Sequence, residues 1–245
     1  MGRKPVKEAL LRKTPPVEKV FINKQASGSE IQHIKQLASR GKIPMQFVPE
    51  VRLNKMAPGG NHQGVIAQIG AIAFWDFDEM LQEIAPTRDD VSEGKPTLMV
   101  LDRIEDPHNY GAILRSALAA GVAGVVVPSK NMAPLNDAAL KTSAGAALQL
   151  KIARVSTLSV ALYQLKERGY WIVGADQNKD ASMHDFDWQR PVAIVVGSEA
   201  MGMHPKVREQ CDEIVSIPMY GPVESLNVSV AAALLVFKAA HIKNQ

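Results

Sequence analysis

From Thr97 onward the chain keeps repeating one pattern, a short apolar run followed by a stretch with helical spacing. The runs cover residues 98–101, 122–127, 171–174, 192–196 and 214–218, and the helical stretches lie near 111–120, 137–148, 158–168 and 205–209. Runs this short are strand-sized, and continuous apolarity without alternation means burial on both faces. Strands of that kind, separated by helices, predict an α/β fold with a parallel sheet covered on both sides.

The first seventy or so residues carry a different arrangement. Residues 5–12 can open as a helix, since Pro5 is tolerated in a first turn. Residues 17–22 read as a strand. Ser29 is a candidate cap for a helix over 30–40, with Ile31, Ile34, Leu37 and Ala38 at helical spacing and Gly41 at its end. Residues 43–48 and 64–69 are further strands, with a short helix over 51–56 between them. The result is a small α/β/α unit. Residues 76–84 can form one more short helix, and 85–95 are polar with Pro86 and Gly94, which reads as a connector. The expected division is therefore 1–74, a linker over 75–95, and a larger domain over 96–245.

Charge separates the two parts. Residues 1–60 hold twelve Lys or Arg (Arg12 and Lys13 among them) against Glu8, Glu18, Glu30 and Glu50, a net of +8. The remaining 16 cations and 21 acids give −5, so the overall +3 conceals a basic lobe on an acidic body. That is the footprint of polyanion binding, although a solvated Lys-rich surface produces the same count. Cys211 is the only cysteine, which excludes a disulfide framework and favours a reducing compartment. No run approaches the eighteen or so apolar residues of a membrane span, and the basic N-terminus lacks a signal peptide's apolar stretch. A cytoplasmic protein is expected.

Three blocks concentrate polar residues beside small ones. They are Asn109-Tyr110-Gly111-Ala112-Ile113-Leu114-Arg115, then Val195-Val196-Gly197-Ser198-Glu199-Ala200-Met201-Gly202, then Ile217-Pro218-Met219 leading to Ser225-Leu226-Asn227-Val228-Ser229. Taken singly, each has a plain structural explanation. Gly-Ser-Glu can be a strand-end turn, Asn109 a helix cap, and Ser225 and Asn227 caps of the Ala-rich last helix. Glu199 follows an apolar run, and a carboxylate there calls for a partner. No G-x-G-x-x-G follows the first strand of either part, so a pyrophosphate cofactor is not favoured. The histidines, His108 included, never join Cys211 or a carboxylate at metal-ligand spacing, and no metal is expected.

In this order the three blocks resemble the motifs of the SpoU (TrmH) branch of the SPOUT RNA methyltransferases, over roughly residues 96–245. The chain as a whole is most similar to the bacterial enzymes that methylate a guanosine 2′-OH in 23S ribosomal RNA. The first part, with Gly2-Arg3-Lys4-Pro5-Val6 and Asn61-His62-Gln63-Gly64-Val65, resembles the ribosomal-protein-like RNA-binding domain of that subfamily. The resemblance implies a deep trefoil knot at the C-terminus, which overrides the usual absence of threaded chains. It also implies S-adenosylmethionine as cofactor, lined by Gly197, Ile217 and Leu226, with Ala175 and Met219 beside them. Arg115, Asn109, Glu199, Ser225 and Asn227 are the implied catalytic set, and residues 142–146 resemble a segment near the substrate.

Arg115 matches an arginine to which the family assigns general-base work. A guanidinium stays protonated at neutral pH, so clamping an RNA phosphate and orienting the ribose is the favoured role. Ribosomal RNA and a second copy of the chain are the expected partners, with neither DNA nor membrane. The dimer is expected to form through the C-terminal helix, whose apolar residues span too wide an arc for one buried face. Transfer RNA is the alternative substrate, and a non-catalytic RNA-binding assembly factor the alternative class.

Overall fold

The computed structural model describes residues 1–11, 17–70, 73–177 and 181–245. They form two compact units, Met1–Ala73 and Phe74–Gln245.

The first unit contains α1 (Arg3–Leu11), β1 (Val17–Asn23), α2 (Ser29–Arg40), β2 (Met45–Val48), α3 (Glu50–Met56) and β3 (Val65–Ile69). Its sheet runs β2-β1-β3, with β1 parallel to β2 and antiparallel to β3. Alternation along β1 sends Val20 and Ile22 into a core shared with Val6, Ile31, Ile34 and Ala38, and sends Phe21 to the opposite face against Val48, Leu53 and Ile66. Arg12, expected as the end of the first helix, lies outside the described residues. Two boundary details differ from the sequence reading. Ser29 is the first residue of α2 and gives no side-chain cap, the N-cap being Gly28 at φ 109°. Gly41 stays right-handed, and Lys42 takes the positive φ that turns the chain out of α2. The two quoted N-terminal segments meet. Gly2 N donates to the Val65 carbonyl at 3.2 Å, and Arg3 N to Gln63 Oε1 at 3.1 Å.

The second unit takes in the whole of the expected connector. Residues 75–95 carry α4 (Phe77–Ile84) and α5 (Arg88–Gly94), whose Phe77, Met80, Leu81 and Val91 are buried against the sheet. The polar composition hid this because α5 contributes a single buried side chain, Val91. Then follow β4 (Thr97–Leu101), α6 (Pro107–Ala119), β5 (Gly124–Pro128), α7 (Asp137–Thr142), β6 (Ile152–Val155), α8 (Leu158–Glu167), β7 (Trp171–Ala175), β8 (Val192–Val196), α9 (Pro205–Arg208), β9 (Glu213–Val215) and α10 (Val228–Lys243). The sheet is parallel throughout, in the order β6-β5-β4-β8-β7-β9. Along β8, Val192, Ile194 and Val196 pack towards α6 and α10, while Ala193 and Val195 pack towards α4 and α8. One sheet therefore separates two cores, as its unbroken apolar strands require. The single helix expected over 137–148 is instead α7 plus one 3₁₀ turn, because Ala144 and Gly145 both take positive φ.

Candidate active site

Ligands of open parallel sheets bind beyond the carboxyl ends of the strands. Here Ala175, Val196 and Val215 end β7, β8 and β9, and all three line one cavity of about 330 Å³. Every residue expected to hold a cofactor is in its wall: Gly197, Ile217, Leu226, Ala175 and Met219. Glu199 and Ser225 line it as well, together with Met201 of the second block and three residues outside the blocks, Asp176, Gln177 and Glu224. Position was the only signal for these three, since Asp176 and Gln177 directly follow a strand end and Glu224 precedes Ser225. The Asp176 carboxylate is paired with Arg208 from α9.

The loop after β8 turns back on itself. Ser198 N donates to the Gly202 carbonyl at 3.1 Å, and Gly202 N to the Ser198 carbonyl at 2.8 Å. A side chain on Gly197 would overlap the Gly202 carbonyl and Met203 N, so glycine is required there by the chain's own return path. The end of β4 fastens the same loop. Arg103, at φ 59°, donates from Nη2 to the Gly202 carbonyl at 3.0 Å, and the buried Asp102 carboxylate accepts His204 N at 2.5 Å. These anchors are about a hundred residues away in sequence, where no local pattern records them.

A polar cluster joins the three blocks. Glu199 Oε1 accepts from Asn109 Nδ2 at 3.2 Å, from Asn227 Nδ2 at 2.5 Å and from Val228 N at 3.1 Å. Asn227 Nδ2 also reaches Asn109 Oδ1 at 3.0 Å. The carboxylate that called for a partner thus has three donors, and it stands at the N-terminus of α10, where the helix dipole favours negative charge. Asn227 caps α10 through its Oδ1, which accepts Ser229 N at 2.9 Å. Asn109 is not a cap: Asp106 caps α6, and Asn109 lies in the first helical turn. Ser225 is exposed on the cavity rim and caps no helix among the described residues.

Arg115 does not join this cluster. Six residues beyond Asn109 on the same helix, it points about 120° away and sits about 9 Å further along the axis. It is exposed, lies off the cavity wall, and among the described residues has neither an ion pair nor a hydrogen bond from its side chain. His108 Nδ1 lies 3.2 Å from Thr142 Oγ1, and a side chain on Gly111 would overlap the Ala139 carbonyl and Thr142. The small residues of the first block and of 142–146 therefore bring α6 and α7 close together.

Comparison with known proteins gives two family matches that together span nearly the whole chain. Residues 96–237 match the SpoU rRNA Methylase family, and residues 1–75 match the RNA 2′-O ribose methyltransferase substrate-binding family. A protein of Staphylococcus haemolyticus assigned to the TrmH family of tRNA/rRNA methyltransferases is 38% identical over 245 residues, covering 100% of this chain and 96% of its own. A crystal structure described as an RNA 2′-O ribose methyltransferase is 25% identical with a TM-score of 0.73, covering 100% of this chain and 88% of its own. The SpoU methyltransferase AviRb from Streptomyces viridochromogenes, solved in complex with its cofactor AdoMet, is 24% identical. It shares the fold with a TM-score of 0.79, covering 98% of this chain and 88% of its own.

Proposed function

Because the chain belongs to the SpoU rRNA methylase family of RNA 2′-O-ribose methyltransferases, which act with S-adenosylmethionine, we propose that its acceptor is the 2′-OH of a guanosine in 23S ribosomal RNA. The observation that carries this reading is the convergence of Asn109, Glu199 and Asn227 at the edge of a cavity lined by Gly197, Ile217 and Leu226. The cavity suits the cofactor. Its volume is in the range of small-ligand pockets, and the carboxylates of Glu199 and Glu224 favour a cationic occupant.

The cofactor supplies an electrophilic methyl group on a cationic sulfonium. The protein's part is to bring a hydroxyl in line with it and to let that hydroxyl lose its proton. On this reading the backbone at Gly197, Ile217 and Leu226 holds the adenine between apolar walls, with Ala175 and Met219 completing them. Asn109, Asn227 and Ser225 orient the ribose, with Glu199 fixing both amides. Arg115 grips an RNA phosphate. Its planar fork has no partner among the described residues to displace.

Arg115 stands away from the cavity of its own chain, and a two-fold dimer through α10 accounts for that. On α10, Val228, Ala232, Leu235, Val236 and Ala239 are buried, whereas Val230, Leu234 and Phe237 are 46%, 40% and 49% exposed. The exposed three recur at i, i+4 and i+7, one stripe suited to a second copy. In such a dimer the exposed Arg115 is the residue that one copy would contribute to the other's site. The family's C-terminal knot and a cytoplasmic location belong to the same reading.

Residues 1–75, with their match to a substrate-binding family and their basic charge, favour ribosomal RNA over transfer RNA. The test is labelled methyl transfer to unmodified 23S, 16S and transfer RNA transcripts, presented separately. Label in the 23S transcript is expected. Label in transfer RNA alone would move the substrate, and label in none of them would leave an RNA-binding assembly factor.

A further inference from the structure

The loop that leads off the cavity wall carries an aromatic side chain that no described residue covers. Tyr220 is 92% exposed and directly follows the cavity-lining Met219 in the loop that leads to Ser225 and Asn227. Around it the loop is open, since a Cβ on Gly221 would meet no atom within 4 Å. Two other large apolar side chains are exposed: Met201, 67% exposed, in the cavity wall on the loop after β8, and Val223, 57% exposed, next in sequence to the cavity-lining Glu224.

Charge and geometry together limit what can lie there. The acceptor ribose must present its 2′-OH to the cavity, so the bases next to it cross the rim. Glu199 and Glu224 make this side of the rim negative, so here the neutral face of a base approaches more readily than phosphate, which Arg115 is proposed to hold elsewhere. Aromatic side chains take up unstacked bases by stacking on that face. The stripe on α10 suited to a second copy is Val230, Leu234 and Phe237, and Tyr220 is not on it. We propose that Tyr220 is the stacking platform for a nucleobase adjoining the acceptor ribose, holding that nucleotide splayed from its helix so that the ribose can enter the site. This inference rests on the reading of the cavity as the site of methyl transfer.

The test compares the wild type with Tyr220→Ala, Tyr220→Phe and Tyr220→Trp in the full-length protein. Wild-type transfer to unmodified 23S and transfer RNA transcripts first identifies the accepted RNA, so failure of the ribosomal reading is registered separately. On the accepted transcript, Tyr220→Ala should raise the KM and the equilibrium Kd for RNA by roughly 5- to 150-fold, the size of one lost base–aromatic stack. The Phe and Trp variants should remain near wild type, and all four proteins should bind S-adenosylmethionine and sediment alike. Unchanged RNA affinity in Tyr220→Ala overturns the proposal. So does a loss that tracks weakened self-association, which would make the occupant a second copy of the chain.

Discussion

Asn227 donates its Nδ2 to Glu199 Oε1 at 2.5 Å, and so ties the cap of the last helix to the loop after β8. The same oxygen takes Val228 N and Asn109 Nδ2, so one carboxylate oxygen registers α6, α10 and that loop against each other. Glu199→Gln keeps the shape and removes the charge that favours all three donors. We expect a loss of about 1 kcal/mol in stability. Methyl transfer should fall about 100-fold as the amides lose their alignment. Denaturant midpoints and single-turnover rates check the two halves; a wild-type rate would show that the cluster does not orient the acceptor.

Gly197→Ala should lose cofactor binding before it loses the fold. The added methyl meets the Gly202 carbonyl and Met203 N, so the loop that walls the cavity must move. Overpacking of this kind costs about 1–3 kcal/mol. Calorimetric titration with S-adenosylmethionine should show little or no binding while circular dichroism remains native.

Arg115→Ala should abolish transfer with little change in cofactor affinity, and Arg115→Lys should not restore it, because an ammonium supplies a point charge in place of a planar fork. A shared site adds a sharper outcome. Mixing inactive Arg115→Ala with the strongly impaired Glu199→Gln should raise activity above that of either alone, since mixed dimers hold one site with both native residues. No recovery, or a monomer with full activity in light scattering, would remove the composite site.

Much of this architecture is legible in the sequence wherever burial is two-sided. All of Val192–Val196 is buried, and the strand reads as an unbroken apolar run. Strand β6 does not, because it is a four-residue edge strand with Arg154 exposed over Phe74. Helix α5 was concealed by its charges, although its capping box, Thr87 with Asp90, is a local signal that marks its start. The cavity residues are readable as a family pattern. The distance of Arg115 from Asn109 is readable from helical periodicity alone, whereas the hold of Asp102 and Arg103 on the loop at 202–204 is a long-range contact with no local signature.

Lys243 at the end of α10 donates to the Lys95 carbonyl at 2.8 Å and to Thr97 Oγ1 at 2.7 Å. Burial, with some repulsion from Lys95, brings its pKa down from 10.5 to about 8. Between those two values the unfolded chain binds more protons than the folded one, so this group's contribution to stability rises with pH from about 8 to 10.5. Urea midpoints at the two ends of that window should differ in this sense for the wild type and less so for Lys243→Met. An equal pH dependence in both proteins would mean that Lys243 keeps its ordinary proton affinity when folded.

The atom that receives the methyl group distinguishes ribose from base methylation. A 2′-O-methyl ribose resists alkali at the following phosphodiester, because the hydroxyl that would attack the phosphorus is blocked. An unmodified 23S transcript treated with the enzyme and S-adenosylmethionine, then hydrolysed in alkali and mapped, should show one resistant step, immediately 3′ of a guanosine, and none without enzyme. Incorporated methyl with every step still alkali-labile would place the group on a base and contradict the account.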